Sequence, residues 1–166
     1  MKRMCVMLVA ALAAAVWATP SSAQSFGNAM AVSGDQIIVG EPVYEMRSGV
    51  VYVFDRDGNG DWVQSQMLEP SDASAANRFG ISLAAQDDLL LVSATRVDGG
   101  TGAVYVFEND GGTWSESGRI VTDDRTPADS LGSGLDIDGD WVAIGTIAQN
   151  SARGAVYTFR RDGDDW

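Results

Sequence analysis

Three anchors recur along this chain at one spacing, and no other feature restricts its fold as much. Phe26-Gly27 returns as Phe79-Gly80 and Leu131-Gly132, at intervals of 53 and 52 residues. Gly49-Val50-Val51-Tyr52-Val53-Phe54 returns as Gly102-Ala103-Val104-Tyr105-Val106-Phe107 and Gly154-Ala155-Val156-Tyr157-Thr158-Phe159, at the same intervals. Trp62, Trp114 and Trp166 follow at 52 and 52. Self-similarity at a fixed period of this size marks a repeat architecture, in which each unit hides its apolar surface against its neighbour.

Each unit predicts four short strands, which in the first unit cover 28–33, 36–40, 49–55 and 61–68. Ser33-Gly34-Asp35 supplies a tight turn, 41–48 a loop and 56–60 a hairpin, with Gly and Asp providing the dihedrals such bends need. No stretch sustains a helical period. In Val50 to Phe54 both alternating faces are apolar, so both require cover. Stacking such sheets radially covers both faces. The expected fold class is therefore all-β, built of β-propeller blades that are four-stranded antiparallel repeats of 52–53 residues. A β-sandwich would not require three matched anchors at one period. Gly27, Gly80 and Gly132 predict close backbone approach where one blade meets the next.

The first residues carry an export pattern. Lys2 and Arg3 precede an apolar run from Met4 to Ala18, and Ser21-Ser22-Ala23 fits a cleavage site, so 1–23 is expected to be a signal peptide. The run is shorter than the ~20 residues a spanning helix needs. The only cysteine, Cys5, lies in this leader, so the mature chain has no disulfide. Removing the leader leaves 24–166, with 9 basic and 23 acidic residues and a net charge of −14. That balance argues against nucleic acid and against anionic membrane surfaces. The absence of histidine excludes imidazole bases and histidine-ligated metals.

Residues 24–166 amount to about 2.7 units: 24–76, 77–129 and an incomplete 130–166. Propellers close with about 4–8 blades. The expectation is a partial propeller: the N-terminal piece of a longer protein, or a chain that needs further blades or a partner chain to close.

At these residues the chain resembles the FG-GAP repeat family, in the bacterial subgroup with a Gly-x-Val-Tyr-Val-Phe strand. Phe26-Gly27 and Phe79-Gly80 carry the first half of the family's name. Gly40-Glu41-Pro42, Ser93-Ala94-Thr95 and Gly145-Thr146-Ile147 are imperfect versions of the second. The connection from Leu68-Glu69-Pro70-Ser71-Asp72-Ala73 to Asn77-Arg78-Phe79-Gly80 is also similar to this subgroup. The resemblance implies the seven-bladed propeller of integrin alpha chains, and activities of recognition: adhesion, protein binding and carbohydrate binding.

Two groups are candidates for a cation. Asp55, Asp57, Asn59 and Asp61 alternate through a glycine-containing turn, as a calcium loop requires, but loop position 12 is Gln66 rather than a bidentate glutamate. A polar hairpin tip has the same composition. In the integrin branch calcium occupies longer acidic loops between the first and second strands. Here those connections shrink to short turns, among which Asp136, Asp138 and Asp140 form the one acidic trio. Calcium is the single cofactor candidate, and none is required.

No catalytic residue is assigned. Asp87-Asp88 and Asp123-Asp124 are sequence neighbours, and neighbours on a strand point to opposite faces. The loops 41–48, 94–101 and 146–153 differ in sequence while their flanking strands repeat, and with the links 69–79 and 121–131 they should share one rim. Variable loops on a rigid scaffold are where binding resides. Glu41, Tyr44, Arg47, Arg96 and Arg153 are the exposed candidates on that rim. The expected function is an exported binding or scaffold module, periplasmic, cell-surface or secreted, for a protein or glycan ligand. The alternatives are a carbohydrate-active or other hydrolytic enzyme whose site lies in further blades, and a purely structural part of a larger surface protein.

Overall fold

A computed structural model of the chain describes residues 25–42, 48–74, 76–124, 126–149, 153–163 and 165–166. The leader 1–23 lies outside the described residues. Among the described residues, eleven strands form three antiparallel sheets. The first contains β1 (Ala29–Ser33), β2 (Gln36–Glu41), β3 (Val50–Arg56) and β4 (Trp62–Leu68) in chain order. The second repeats it with β5 (Phe79–Gln86), β6 (Leu89–Ala94), β7 (Ala103–Asp110) and β8 (Thr113–Ile120). The third holds β9 (Gly134–Asp138), β10 (Trp141–Thr146) and β11 (Ala155–Arg160). These are blades of a partial propeller. One helical turn, α1 (Val97–Gly100), interrupts the loop between β6 and β7. Four residues with Asp98 and Gly99 at positive φ are too short and irregular to leave a periodic signal.

The turns between the first two strands of each sheet follow one geometry. Ser33 pairs with Gln36, Gln86 with Leu89 and Asp138 with Trp141, leaving two-residue turns. The first turn residue is Gly34 at φ 54, Asp87 at φ 52 or Gly139 at φ 57, the positive values that match the twist of the flanking strands.

The core consists of two apolar layers between the three sheets. On β6, Leu90, Val92 and Ala94 face the first sheet, while Leu89 and Leu91 face the third. On β7, Ala103, Tyr105 and Phe107 face the first sheet, and Val104 and Val106 the third. Period-two alternation thus buries both faces of the second sheet, as its doubly apolar strands require. The first sheet contributes Ile38, Val51, Val53 and Leu68 to one layer, and the third sheet Val142 and Ile144 to the other. The innermost strands are neighbours, with β1 beside β5 and β5 beside β9.

Glycine permits the sheets to approach this closely. A Cβ on Gly40 would overlap the carbonyl oxygen of Gly80, and one on Gly49 that of Phe79. At the second contact a Cβ on Gly102 would overlap the backbone of Leu131, while Gly132 lies against Ser93. Gly80 and Gly132 therefore stand at points of close approach, as expected. Gly27 shares their positive φ but has no neighbouring atom within 4 Å, because no sheet precedes it among the described residues.

Candidate binding surface

The Tyr of each Gly-x-Val-Tyr strand sets the geometry of one rim. Tyr105 on β7 donates its hydroxyl to Asp72 Oδ1 at 2.5 Å. Tyr157 on β11 donates to Asp124 Oδ1 at 2.8 Å. Asp72 and Asp124 occupy equivalent positions in the two links that carry the chain from one sheet to the next. In the first sheet Tyr52 instead donates to Glu41 Oε2 at 2.9 Å, at the end of β2. In the second and third sheets a strand residue therefore clasps the connection that leads into its own sheet.

Burial pushes the Tyr105 hydroxyl well above its ordinary pKa, and the hydrogen bond to anionic Asp72 adds to that shift. The Tyr157 hydroxyl is raised for the same two reasons, in the same order. Both phenols are neutral donors at physiological pH, the state the clasp needs.

Around these clasps the links and loops converge. Arg119 on β8 donates from Nη1 to Asp72 Oδ2 at 2.8 Å and from Nη2 to Asp98 in the β6–β7 loop. Gln149 in the β10–β11 loop donates to Asp124 and to the Tyr157 hydroxyl. Ser130 N–H bonds Gly100 carbonyl and Leu131 N–H bonds Thr101 carbonyl, tying the second link to the preceding loop. Both links also hold non-glycine residues in left-handed backbone at equivalent positions: Ala76 and Arg78 in one, Ala128 and Ser130 in the other. Such conformations persist where surrounding contacts over-determine them. The rim is a shaped surface of links and loops.

The candidate binding residues divide on this surface. Arg96 and Arg153 are exposed on the β6–β7 and β10–β11 loops. Glu41 is a correction to the expected exposed set. β2 runs one residue further than predicted, so Glu41 pairs with Val50, and it is buried with its carboxylate on Tyr52. Tyr44 and Arg47 lie outside the described residues.

The cation candidates fall on the opposite rim. Asp57 Oδ1 accepts from the amides of Asn59 at 2.8 Å and Asp61 at 2.9 Å, and Oδ2 accepts from the Asn59 side chain at 3.4 Å. The Asp61 amide, followed by that of Asn59, holds the Asp57 carboxyl below its ordinary pKa. Asp57 thus caps its own hairpin. Asp55 instead lines an open groove of about 520 Å³ with Asp35, Asp87, Asp88 and Asn109. Asp136, Asp138 and Asp140 are exposed at the end of β9 and the following turn. Among the described residues, no group of three or more Asp, Glu, His or Cys side chains is gathered as a metal site.

Sequence reading missed the polar residues that lock the sheets. Trp114 Nε1 donates to Gln36 Oε1 at 2.7 Å, and the Trp114 amide donates to Gln66 Oε1 at 2.9 Å. Trp114 was legible as one of three periodic tryptophans, but its glutamine partners do not repeat. Gln36 gives way to Leu89, and Gln66 to Gly118.

A family model described as FG-GAP repeat matches residues 62–107 and 114–159. Each match opens on the last strand of one sheet and ends on the third strand of the next, so the family unit is offset from the sheets by one strand. Asp72 and Tyr105 fall within the first match, Asp124 and Tyr157 within the second. No curated protein matches the chain. Among the described residues, no helix is long and apolar enough to cross a membrane.

Proposed function

The chain belongs to the FG-GAP repeat family, and from that premise we propose that it is an exported binding module whose ligand, a protein or a glycan, docks on the rim of links and loops. One observation carries this reading. Loops of unrelated sequence stand on equivalent shoulders of a repeated scaffold, beside links fastened by the same Tyr–Asp clasp, and present Arg96 and Arg153 outward. Guanidinium groups supply planar, paired donors for carboxylate or sulfate groups on such ligands. The rigidity of the clasped links lowers the ordering cost of binding.

The reading includes no catalytic step. Asp87 and Asp88 form a tight turn, and Asp124 is engaged by Tyr157. It includes no required cofactor. Export rests on the leader pattern in 1–23.

Glycan and peptide arrays probed with the full chain test the proposal. A binder is expected whose affinity falls about tenfold (~1.4 kcal/mol) in Arg96→Ala or Arg153→Ala, with an unchanged melting temperature. Binding that ignores both substitutions would sink the rim as the site. Turnover of a glycan by the wild-type chain would favour an enzyme instead.

A further inference from the structure

Of the asparagines in this chain, Asn59 alone is followed by glycine; the others precede Ala29, Arg78, Asp110 and Ser151. An Asn-Gly step is the one most open to ring closure, because glycine places no side chain in the way when its amide nitrogen attacks the neighbouring asparagine amide. Asn59 and Gly60 are both exposed at the tip of the hairpin between β3 and β4. A Cβ on Gly60 would meet no atom within 4 Å, so nothing crowds the ring that would form there. The corresponding hairpins of the other sheets carry Asp110-Gly111 and Asp162-Gly163, where an ionised carboxylate resists the attack that an amide accepts.

Asp57 separates this tip from a free Asn-Gly peptide. Its carbonyl oxygen accepts from the Gly60 amide at 3.0 Å. Its carboxylate accepts from the Asn59 amide at 2.8 Å and from the Asn59 side chain at 3.4 Å. The attacking nitrogen must surrender the very proton that is bonded to the Asp57 carbonyl. The amide under attack must first leave the Asp57 carboxylate. Nucleophile and electrophile are thus tethered to one residue, and the tip must open locally before they can meet.

We propose that Asn59-Gly60 is a modification site, deamidated by water alone, and that Asp57 is the latch that slows it. The Gly60 nitrogen bonds to Asn59 Cγ while the Cγ–Nδ2 bond breaks. The side-chain nitrogen leaves as ammonia, carrying the proton given up by Gly60. Water then opens the resulting cyclic imide at one of its two carbonyl carbons. Opening at Cγ leaves aspartate at position 59. Opening at the backbone carbonyl leaves isoaspartate, whose main chain runs through the former side chain. No oxidant or reductant enters the balance. Aspartate puts a carboxylate where the Asn59 side chain donated to Asp57, so like charges meet and the cap loosens. Isoaspartate lengthens the main chain beside the Arg56–Trp62 pair that closes the β3–β4 ladder. Either product adds one negative charge, on the rim opposite the proposed binding surface, whatever that surface binds.

Peptide mass mapping of the full chain, held in mildly alkaline buffer with and without unfolding urea, tests this. In urea the peptide holding Asn59 is expected to convert from amide to carboxylate ahead of every other asparagine peptide. In the folded wild type the same conversion is about tenfold slower or more. Folded Asp57→Ala converts about fivefold faster than the folded wild type, and the two chains match in urea. Asn59→Gln shows no conversion at this peptide on the same timescale. Unchanged far-UV circular dichroism is the check that each variant folds, and the wild-type comparison with and without urea stands whether or not Asp57→Ala does. An Asn59 that survives in urea as long as the other asparagines overturns the site. Equal wild-type rates in the two states, or equal rates in folded wild type and folded Asp57→Ala, overturn the latch.

Discussion

Tyr105 and Asp72 stand 33 positions apart in the chain, and the phenol of one lies 2.5 Å from the carboxylate of the other. The strand that carries Tyr105 thereby holds the link through which its own sheet was entered. The same relation joins Tyr157 to Asp124 at 2.8 Å. Both pairs repeat a contact that no local rule of secondary structure produces, and each supplies a direct test.

Tyr105→Phe leaves Asp72 Oδ1 without the phenol, while Arg119 on β8 still holds Oδ2. The expected loss is about 1.5 kcal/mol, that of a part-buried hydrogen bond to a charged group, because Asp72 is exposed and water can take the place of the phenol. Tyr157 is less enclosed, and Tyr157→Phe should cost about 1 kcal/mol or less. Urea unfolding of the two variants measures both values. Equal, negligible losses would show that the hydroxyls contribute nothing.

Stability should also fall at high pH. In the folded chain both Tyr105 and Tyr157 hold their protons above the ordinary phenol value of about 10. The folded state then binds more protons than the unfolded state at alkaline pH, so the contribution is complete below about pH 10 and is lost as pH rises further. In Tyr105→Phe the alkaline decline becomes shallower. Asp57 acts in the opposite direction. Its carboxyl is depressed below 3.8, so its contribution is present above that value and lost as pH falls through the folded one. Melting temperatures of Asp57→Asn should therefore converge with those of the wild type at acid pH.

Gly49 and Gly27 separate packing from backbone preference. A Cβ on Gly49 would overlap the Phe79 carbonyl and crowd Pro42, so Gly49→Ala should cost about 3 kcal/mol or more, or prevent folding. Gly27 has φ 83 and open space, so Gly27→Ala should cost only the left-handed penalty of about 1–2 kcal/mol. Denaturant midpoints compare the two. A cheap Gly49→Ala would mean that the first two sheets are not in backbone contact.

Calcium should not move the melting temperature. Asp57 is committed to the amides of Asn59 and Asp61, and Asp55 lines a separate groove. Scans with calcium and with a chelator are expected to coincide. A calcium-dependent rise abolished by Asp57→Asn would instead establish this hairpin as a cation site.

The parts of the fold legible in the sequence are those that each unit repeats. Val50 to Phe54 announced two buried faces, and Phe79-Gly80 announced the close backbone contact at Gly40 and Gly49. Lone contacts were not legible. Gln36 reaches Trp114 across 78 positions, and nothing at Leu89 repeats the polar group. Ala76 and Arg78 adopt positive φ through the packing of the link, although neither residue type favours it. Glu41 opens the variable loop 41–48 in the sequence and so reads as a rim residue, whereas a single extra pair in the β2–β3 ladder buries it. The clasps fell between these cases. Their residues repeat, but their pairing appears only when a link folds back over the next sheet.

The one-strand offset between family unit and sheet bears on how such chains lengthen. A crossover falling between residues 107 and 114 leaves Asp72 with Tyr105 and Asp124 with Tyr157. A crossover between Asp72 and Phe79, at the border of two sheets, would divide the first pair. Gene segments duplicated in the family's frame therefore arrive with their own fastener and with the outer strand that seals the preceding sheet. Inheritance in that frame adds sheets without orphaning a carboxylate.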